Sequence, residues 1–177
     1  MMIRELKEHE FDEVFSIMES SFPEDEYRPY EEQKALLHKE NYVIYVMEDS
    51  DRQSIKAFIA VWLLEDFAFV EHFAVNPDYR NQGLGALILQ EVKALLKRQI
   101  CLEVELPETD LAARRIAFYE RNGFMFHAYS YMQPAISKGR QPIPLRIMTS
   151  EKQISPERFQ QIKTILYRDV YRFCEDV

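Results

Sequence analysis

The chain has 177 residues, 47% of them hydrophobic and 29% charged, with a net charge of −8. That length buries a full core, and the composition is that of a globular protein in water. The acidic balance argues against a nucleic-acid binder, which needs a basic face, and no run approaches the roughly 20 apolar residues that span a bilayer.

The first residues, M-M-I-R-E-L-K-E, contain no apolar signal-peptide core, so a cytoplasmic location is the expectation. Ile3 to Leu6 reads as a short strand, and Phe11, Val14, Phe15 and Met18 form a helical stripe. Ser21 to Pro29 reads as a loop carrying Glu24, Asp25 and Glu26; a second helix is expected from Tyr30 to about Lys39. Tyr42 to Met47 and Ile55 to Leu64 read as a strand pair joined by the polar turn Glu48 to Ser54.

Phe67 to Val75 is apolar and aromatic and stops at Asn76-Pro77-Asp78, as a strand entering a turn does. Beyond Gly83, the residues Leu84, Leu87, Ile88, Val92 and Leu95 recur at helical spacing, and Lys93, Lys97 and Arg98 suit the far end of the helix dipole. Ile100 to Leu106 alternates as a half-buried strand. Asp110 can cap a helix that Gly123 stops in a left-handed conformation. Phe126 to Met132 and Pro144 to Met148 are the last expected strands, around a loop from Gln133 to Pro142. Past residue 150, Ser155-Pro156-Glu157 opens a helix with Phe159, Ile162, Leu166, Val170 and Phe173 as its stripe. Residues 1–150 thus read as one domain and 151–177 as a helical extension, packed on that domain or on a partner subunit.

Only four glycines occur, and Gly83 and Gly85 sit together between a strand and a helix. Glycine lets backbone approach a ligand closely, and the N–H groups at a helix start attract anions. A phosphate-bearing ligand is expected here. A dinucleotide fingerprint would need a third glycine where Ile88 stands, and a Walker loop would need Gly-Lys-Ser/Thr.

What is present is R-x-x-G-x-G, Arg80 to Gly85, which resembles the pyrophosphate loop of the GCN5-related N-acetyltransferases (GNAT). Residues 114 to 124, R-R-I-A-F-Y-E-R-N-G-F, resemble the later motif of the same family. The resemblance covers about residues 1 to 150 and is specific over 67 to 126. It implies an α/β (α+β) fold, a mixed, mostly antiparallel twisted sheet flanked by helices. It implies acetyl-CoA as cosubstrate, with Arg80, Asn81, Gln82, Gly83, Leu84, Gly85 and Ala86 cradling the pyrophosphate. Phe73 and Val75 would offer backbone groups to the pantetheine.

The implied reaction is direct attack of a primary amine on the thioester. The carbonyl oxygen then needs stabilisation and the departing thiolate a proton. Tyr119 matches the family tyrosine and is the candidate acid; packing of its ring is the alternative reading. Glu71, in V-E-H-F-A-V, is the candidate base, with its pKa raised by burial; a solvent-facing or ion-paired acid is the alternative. Strand alternation sends His72 to the opposite face unless a bulge intervenes.

Glu24 and Glu26 lie where relatives shape the acceptor site and would suit a cationic amine; a solvated acidic loop explains them equally well. Ala112 stands where relatives often carry asparagine, and Arg115 where alanine is usual, so the resemblance does not carry cofactor contacts over to that helix; Arg115 reads as a surface arginine, with a replacement contact as the alternative. His9, His38 and His127 have no convergent partners, and Cys101 and Cys174 are too far apart in sequence to suggest a disulfide scaffold or a metal site, so no metal is expected. The expected substrate is a small amine, with a protein N-terminus or lysine, or a non-catalytic acyl-CoA-binding module, as alternatives. The C-terminal stripe is compatible with a homodimer.

Overall fold

The computed structural model describes residues 3–51 and 54–173, which excludes Cys174. Two compact units divide the chain, Met1–Arg98 and Gln99–Val177.

In the first unit the strands are β1 (Ile3–Glu5), β2 (Tyr42–Glu48), β3 (Ile55–Leu63) and β4 (Phe67–Val75). They pair antiparallel in that order, with Ile3 opposite Met47 and Tyr42 opposite Trp62. β3 and β4 are apolar on both faces: Ala57 to Trp62 and Phe67 to Val70 are all buried. Such a sheet needs cover, and two helices pack on it: α1 (Phe11–Ser21) against β3 and β4, and α3 (Leu84–Leu96) against β1, β3 and β4. Phe11, Val14, Phe15, Ile17 and Met18 form the inner face of α1. On α3 the buried residues are Ile88, Leu89 and Val92, while Leu95 is exposed. Fully burying each of these large side chains contributes about 1.5–3 kcal/mol. The second helix is shorter than its sequence suggests: α2 (Tyr30–Ala35) tightens into a 3-10 turn at Leu36–His38.

Arg4 ties β1 down. Its guanidinium donates to both oxygens of Glu10 at 2.9 and 2.7 Å and to Glu48 at 2.7 Å. The bond from Arg4 holds the Glu10 carboxyl down at about 2, against the opposing effect of burial. A carboxylate favoured in the fold stabilises above its ordinary pKa of about 4.3, and that contribution is lost as pH falls from there toward about 2. Urea unfolding in that acid window is therefore expected to show a loss of stability that Glu10→Gln largely removes.

The second unit holds β5 (Gln99–Glu105), β6 (Phe124–Gln133) and β7 (Ile143–Ser150), with β7 between β5 and β6 and both pairs antiparallel. β5 does not alternate cleanly, because Ile100, Cys101 and Leu102 are all buried. α4 (Asp110–Arg121) packs on β5 and β6. Thr109, not Asp110, caps it: the Thr109 hydroxyl accepts from the Ala112 N–H at 3.1 Å, and Asp110 takes the first helical position. Gly123 follows the helix at φ +85°, as a left-handed stop requires.

Ser155 caps α5 (Pro156–Ile165) by accepting from the Arg158 N–H at 3.1 Å. The helix lies on β6, where Phe159 meets Tyr129 at 4.9 Å and Tyr131 at 6.4 Å between ring centroids. The helix runs on as a π-helical turn at Leu166–Tyr171, which ends at Arg172 in a left-handed conformation. Leu166, Tyr167, Val170 and Tyr171 face inward, and Phe173 is left 45% exposed.

Candidate active site

The register of β4 places the first group of site residues. Ala60 of β3 pairs with His72, but Val61 pairs with Val70, so Glu71 is the extra residue of a β-bulge. The bulge cancels the alternation that would separate Glu71 from His72. Glu71 Oε2 lies 3.6 Å from His72 Nδ1, and the two side chains are 2% and 1% exposed. The bulge exception to simple alternation therefore applies.

Arg28 arrives from the loop after α1, and its Nη1 lies 2.9 Å from Glu71 Oε1. The Arg28 backbone N–H donates to Gln33 Oε1 at 3.2 Å, and Gln33 Nε2 donates to the Tyr42 hydroxyl at 3.2 Å. Burial pushes the Tyr42 hydroxyl far above its ordinary pKa, and the nearby Glu71 charge adds to the effect. Sequence reading missed Arg28 because nothing in S-F-P-E-D-E-Y-R-P separates an inward arginine from a solvated one.

Neither oxygen of Glu71 accepts a hydrogen bond, although Arg28 stands at contact distance. A buried carboxylate compensated in charge but left without hydrogen bonds is costly, and it is poised to accept one. His72 is anchored on its other side: its Nε2 lies 2.7 Å from the Glu26 carbonyl oxygen. A carbonyl only accepts, so Nε2 carries the proton. Burial lowers the His72 pKa, against the raising influence of Glu71. Glu26 thus enters this cluster through its backbone; Glu24 is exposed, and Glu24, Asp25 and Glu26 form a 3-10 turn.

The glycine corner lies at the end of the same strand. Asn76 opens a 3-10 turn at Pro77–Tyr79 by accepting from the Asp78 N–H at 3.1 Å. Asn81 and Gly83 both take left-handed conformations, at φ +62° and +73°. Gly83 immediately precedes α3 and offers no side chain to cap it, so the first N–H groups of α3 are the ones a helix leaves unpaired. A Cβ added to Gly83 would meet nothing within 4 Å. The corner therefore combines donors, a helix dipole and open space, and it fits a pyrophosphate. Arg80 is exposed, donating to the Val75 carbonyl at 3.2 Å and the Ser21 hydroxyl at 3.3 Å. Gln82 is exposed, while Leu84, Gly85, Ala86, Phe73 and Val75 are half-buried.

Tyr119 belongs to the second unit, on the inner face of α4, and is buried. Its ring meets those of Phe118 and Phe124 edge-on, with centroids 5.3 and 5.7 Å away. Burial pushes its phenol up to about 12, with the Arg115 charge pulling the other way. Tyr119 is thus protonated throughout the neutral range. Arg115 itself pairs with Glu105 at 3.0 Å, both partly exposed. A further buried cluster escaped the sequence reading: the Tyr171 hydroxyl donates to Glu103, beside Tyr131. Among the described residues no group of His, Cys, Asp and Glu could hold a metal ion, and no helix is long and apolar enough to cross a membrane.

Comparisons across known proteins place the chain among acetyltransferases. The sequence model of the acetyltransferase (GNAT) family matches residues 6–124. The Bacillus subtilis protein YjbC, which carries an acetyltransferase name, is 36% identical over 112 residues; the match spans 59% of this chain and 55% of YjbC. A second Bacillus subtilis protein, named as a ribosomal protein bS18 alanine N-acetyltransferase, is 27% identical over 59% of this chain and 70% of its own. A solved structure from Bacteroides thetaiotaomicron, titled as a GNAT-family acetyltransferase, superposes with a TM-score of 0.85 at 31% identity, covering 97% of this chain and 98% of that one. The ribosomal-protein-S18-alanine N-acetyltransferase of Escherichia coli shares the fold, with a TM-score of 0.65 at 24% identity over 88% of this chain and 96% of that one. By the family match over residues 6–124 and the 31% identity across nearly the whole chain, this chain belongs to the acetyltransferase (GNAT) family.

Proposed function

We propose that the protein transfers an acetyl group from acetyl-CoA to a primary amine of a small molecule. The observation that carries this reading is Glu71, a carboxylate 2% exposed that accepts no hydrogen bond, on the same strand that leads into the glycine corner. Acetyl-CoA supplies the acyl group as a thioester. The N–H groups at the start of α3, with Asn81 to Ala86, bind its pyrophosphate, and the backbone of Phe73 and Val75 aligns its pantetheine. Glu71 takes the proton of the acceptor ammonium, leaving a neutral amine with a free electron pair. Tyr119, held neutral by burial, gives its proton to the departing thiolate.

Gly83→Ala tests the corner. Alanine at a left-handed φ costs about 1–2 kcal/mol, and its methyl enters the open space before α3. A loss of about tenfold in acetyl-CoA affinity is expected, the equivalent of about 1.4 kcal/mol, measured by calorimetry.

The similarity to a protein named as a bS18 alanine N-acetyltransferase favours a second reading, an α-amino group at a protein N-terminus. Spermidine and a peptide beginning with alanine separate the two. Mass-detected acetylation of spermidine supports the small-amine reading, and acetylation of the peptide alone replaces it. Acetyl-CoA binding without transfer to either, or to a panel of other amines, would point instead to an acyl-CoA-binding module.

A further inference from the structure

The β4 bulge leaves two buried groups facing each other with no proton assigned between them. His72 Nε2 spends its proton on the Glu26 carbonyl at 2.7 Å. Its Nδ1 is then a bare acceptor, aimed at Glu71 Oε2 across 3.6 Å, and it has no hydrogen-bond partner. Two bare acceptors in a buried site repel, and a proton placed between them converts that repulsion into a charge-assisted hydrogen bond. The groups facing His72 are few. Glu71 comes from its own strand, the Glu26 carbonyl and the Arg28 guanidinium come from the loop after α1, and the Phe22 ring lies edge-on at 5.1 Å. Arg28 and Glu71 cancel in charge, so the cluster can take up one positive charge while the carboxylate stays beside it.

We propose that His72 is the proton partner of Glu71, taking onto Nδ1 the proton that Glu71 draws from the acceptor ammonium. This rests on the acetyltransferase reading and on Glu71 as its base. In the step, an N–H bond of the ammonium breaks, its electron pair stays on the amine nitrogen, and the proton reaches Glu71. It then passes from Oε2 to Nδ1, restoring the carboxylate and leaving an imidazolium between Glu71 and the Glu26 carbonyl. The imidazolium loses that proton to solvent before the next turnover. His72 touches no substrate and is a positioning residue that keeps Glu71 ionised for attack. Because Glu26 sits in the acidic turn, the same histidine links that turn to the base.

Nitrogen NMR on the full chain labelled with 15N-histidine tests the pair without any substrate. At neutral pH the His72 ring is expected to be protonated at Nε2 and bare at Nδ1. Nδ1 should gain its proton on acidification, and Glu71→Gln should move that titration to lower pH, since a favourable negative neighbour is removed. A ring protonated at Nδ1 at neutral pH, or a titration that Glu71→Gln leaves in place, overturns the proposal.

His72→Gln supplies the kinetic arm. Glutamine keeps an N–H for the Glu26 carbonyl but cannot hold the transferred proton. The expected result is a fall in kcat of roughly tenfold on whichever of spermidine or the alanine peptide the wild type acetylates, with the KM for acetyl-CoA unchanged. Wild-type kcat across the pH profile of the variant overturns the proposal. If the wild type acetylates neither probe nor any amine of the wider panel while the NMR result holds, it is the transfer reading that fails, and the Glu71–His72 proton pair stands.

Discussion

Tyr119→Phe is expected to reduce kcat by about 10²-fold or more while leaving acetyl-CoA affinity within about twofold of wild type. The change removes one oxygen and keeps the ring that packs edge-on against Phe118 and Phe124. Lost turnover at unchanged acetyl-CoA affinity therefore reports the missing proton donor and not a lost ring contact. A phenol pushed up to about 12 is a weak acid, so it donates only as negative charge builds on the leaving sulfur. The enzyme should keep its donor through the whole neutral and mildly alkaline range. Steady-state rates and calorimetry on the same preparations make the comparison. A variant with full turnover would return Tyr119 to the role of a packing residue.

Arg28→Ala is expected to be the most destabilising single change at the site, by about 3–5 kcal/mol. The ion pair with Glu71 is 7% and 2% exposed on its two sides, so removing the guanidinium strands a buried carboxylate. For a chain of this size each kcal/mol moves the melting temperature by about 2–4 °C, so a fall of roughly 6–20 °C follows. The double variant Arg28→Ala/Glu71→Gln should regain much of the loss, because the stranded charge is gone. Thermal unfolding of the four proteins closes this cycle, and strict additivity of the two changes would show that the pair is not coupled.

Much of the fold was legible because most elements rest on local signals. The strand Phe67–Val75 was bounded by its own turn residues, and the Ser155-Pro156 start and the Gly123 stop are capping chemistry that a sequence spells out. What failed was phase. Leu95 shares the helical spacing of Ile88 and Val92 yet is exposed, while Leu89, outside that spacing, turns inward. Phe173 leaves its stripe because the helix stops at Tyr171 and Arg172, just before it, turns left-handed at φ +52°. Asp110 lost the cap to Thr109 because either side chain can accept the helix N–H and only one position can hold it.

The site divides along the same line. The glycine corner and Tyr119 were visible as motifs, whereas Glu71 acquired its partners through tertiary structure. One extra residue in β4 turns His72 toward it, and no alternation pattern announces a bulge. Arg28 reaches it from a loop far away in sequence, where a charged side chain gives no hint of its direction.

Calorimetric titration of the full chain with acetyl-CoA, with NAD and ATP as controls, tests the central claim most directly. The account predicts micromolar binding of acetyl-CoA, weakened by Gly83→Ala, with NAD and ATP far weaker. Preference for NAD or ATP, or no binding at all, would contradict it, and the roles assigned to Tyr119 and Glu71 would fall together.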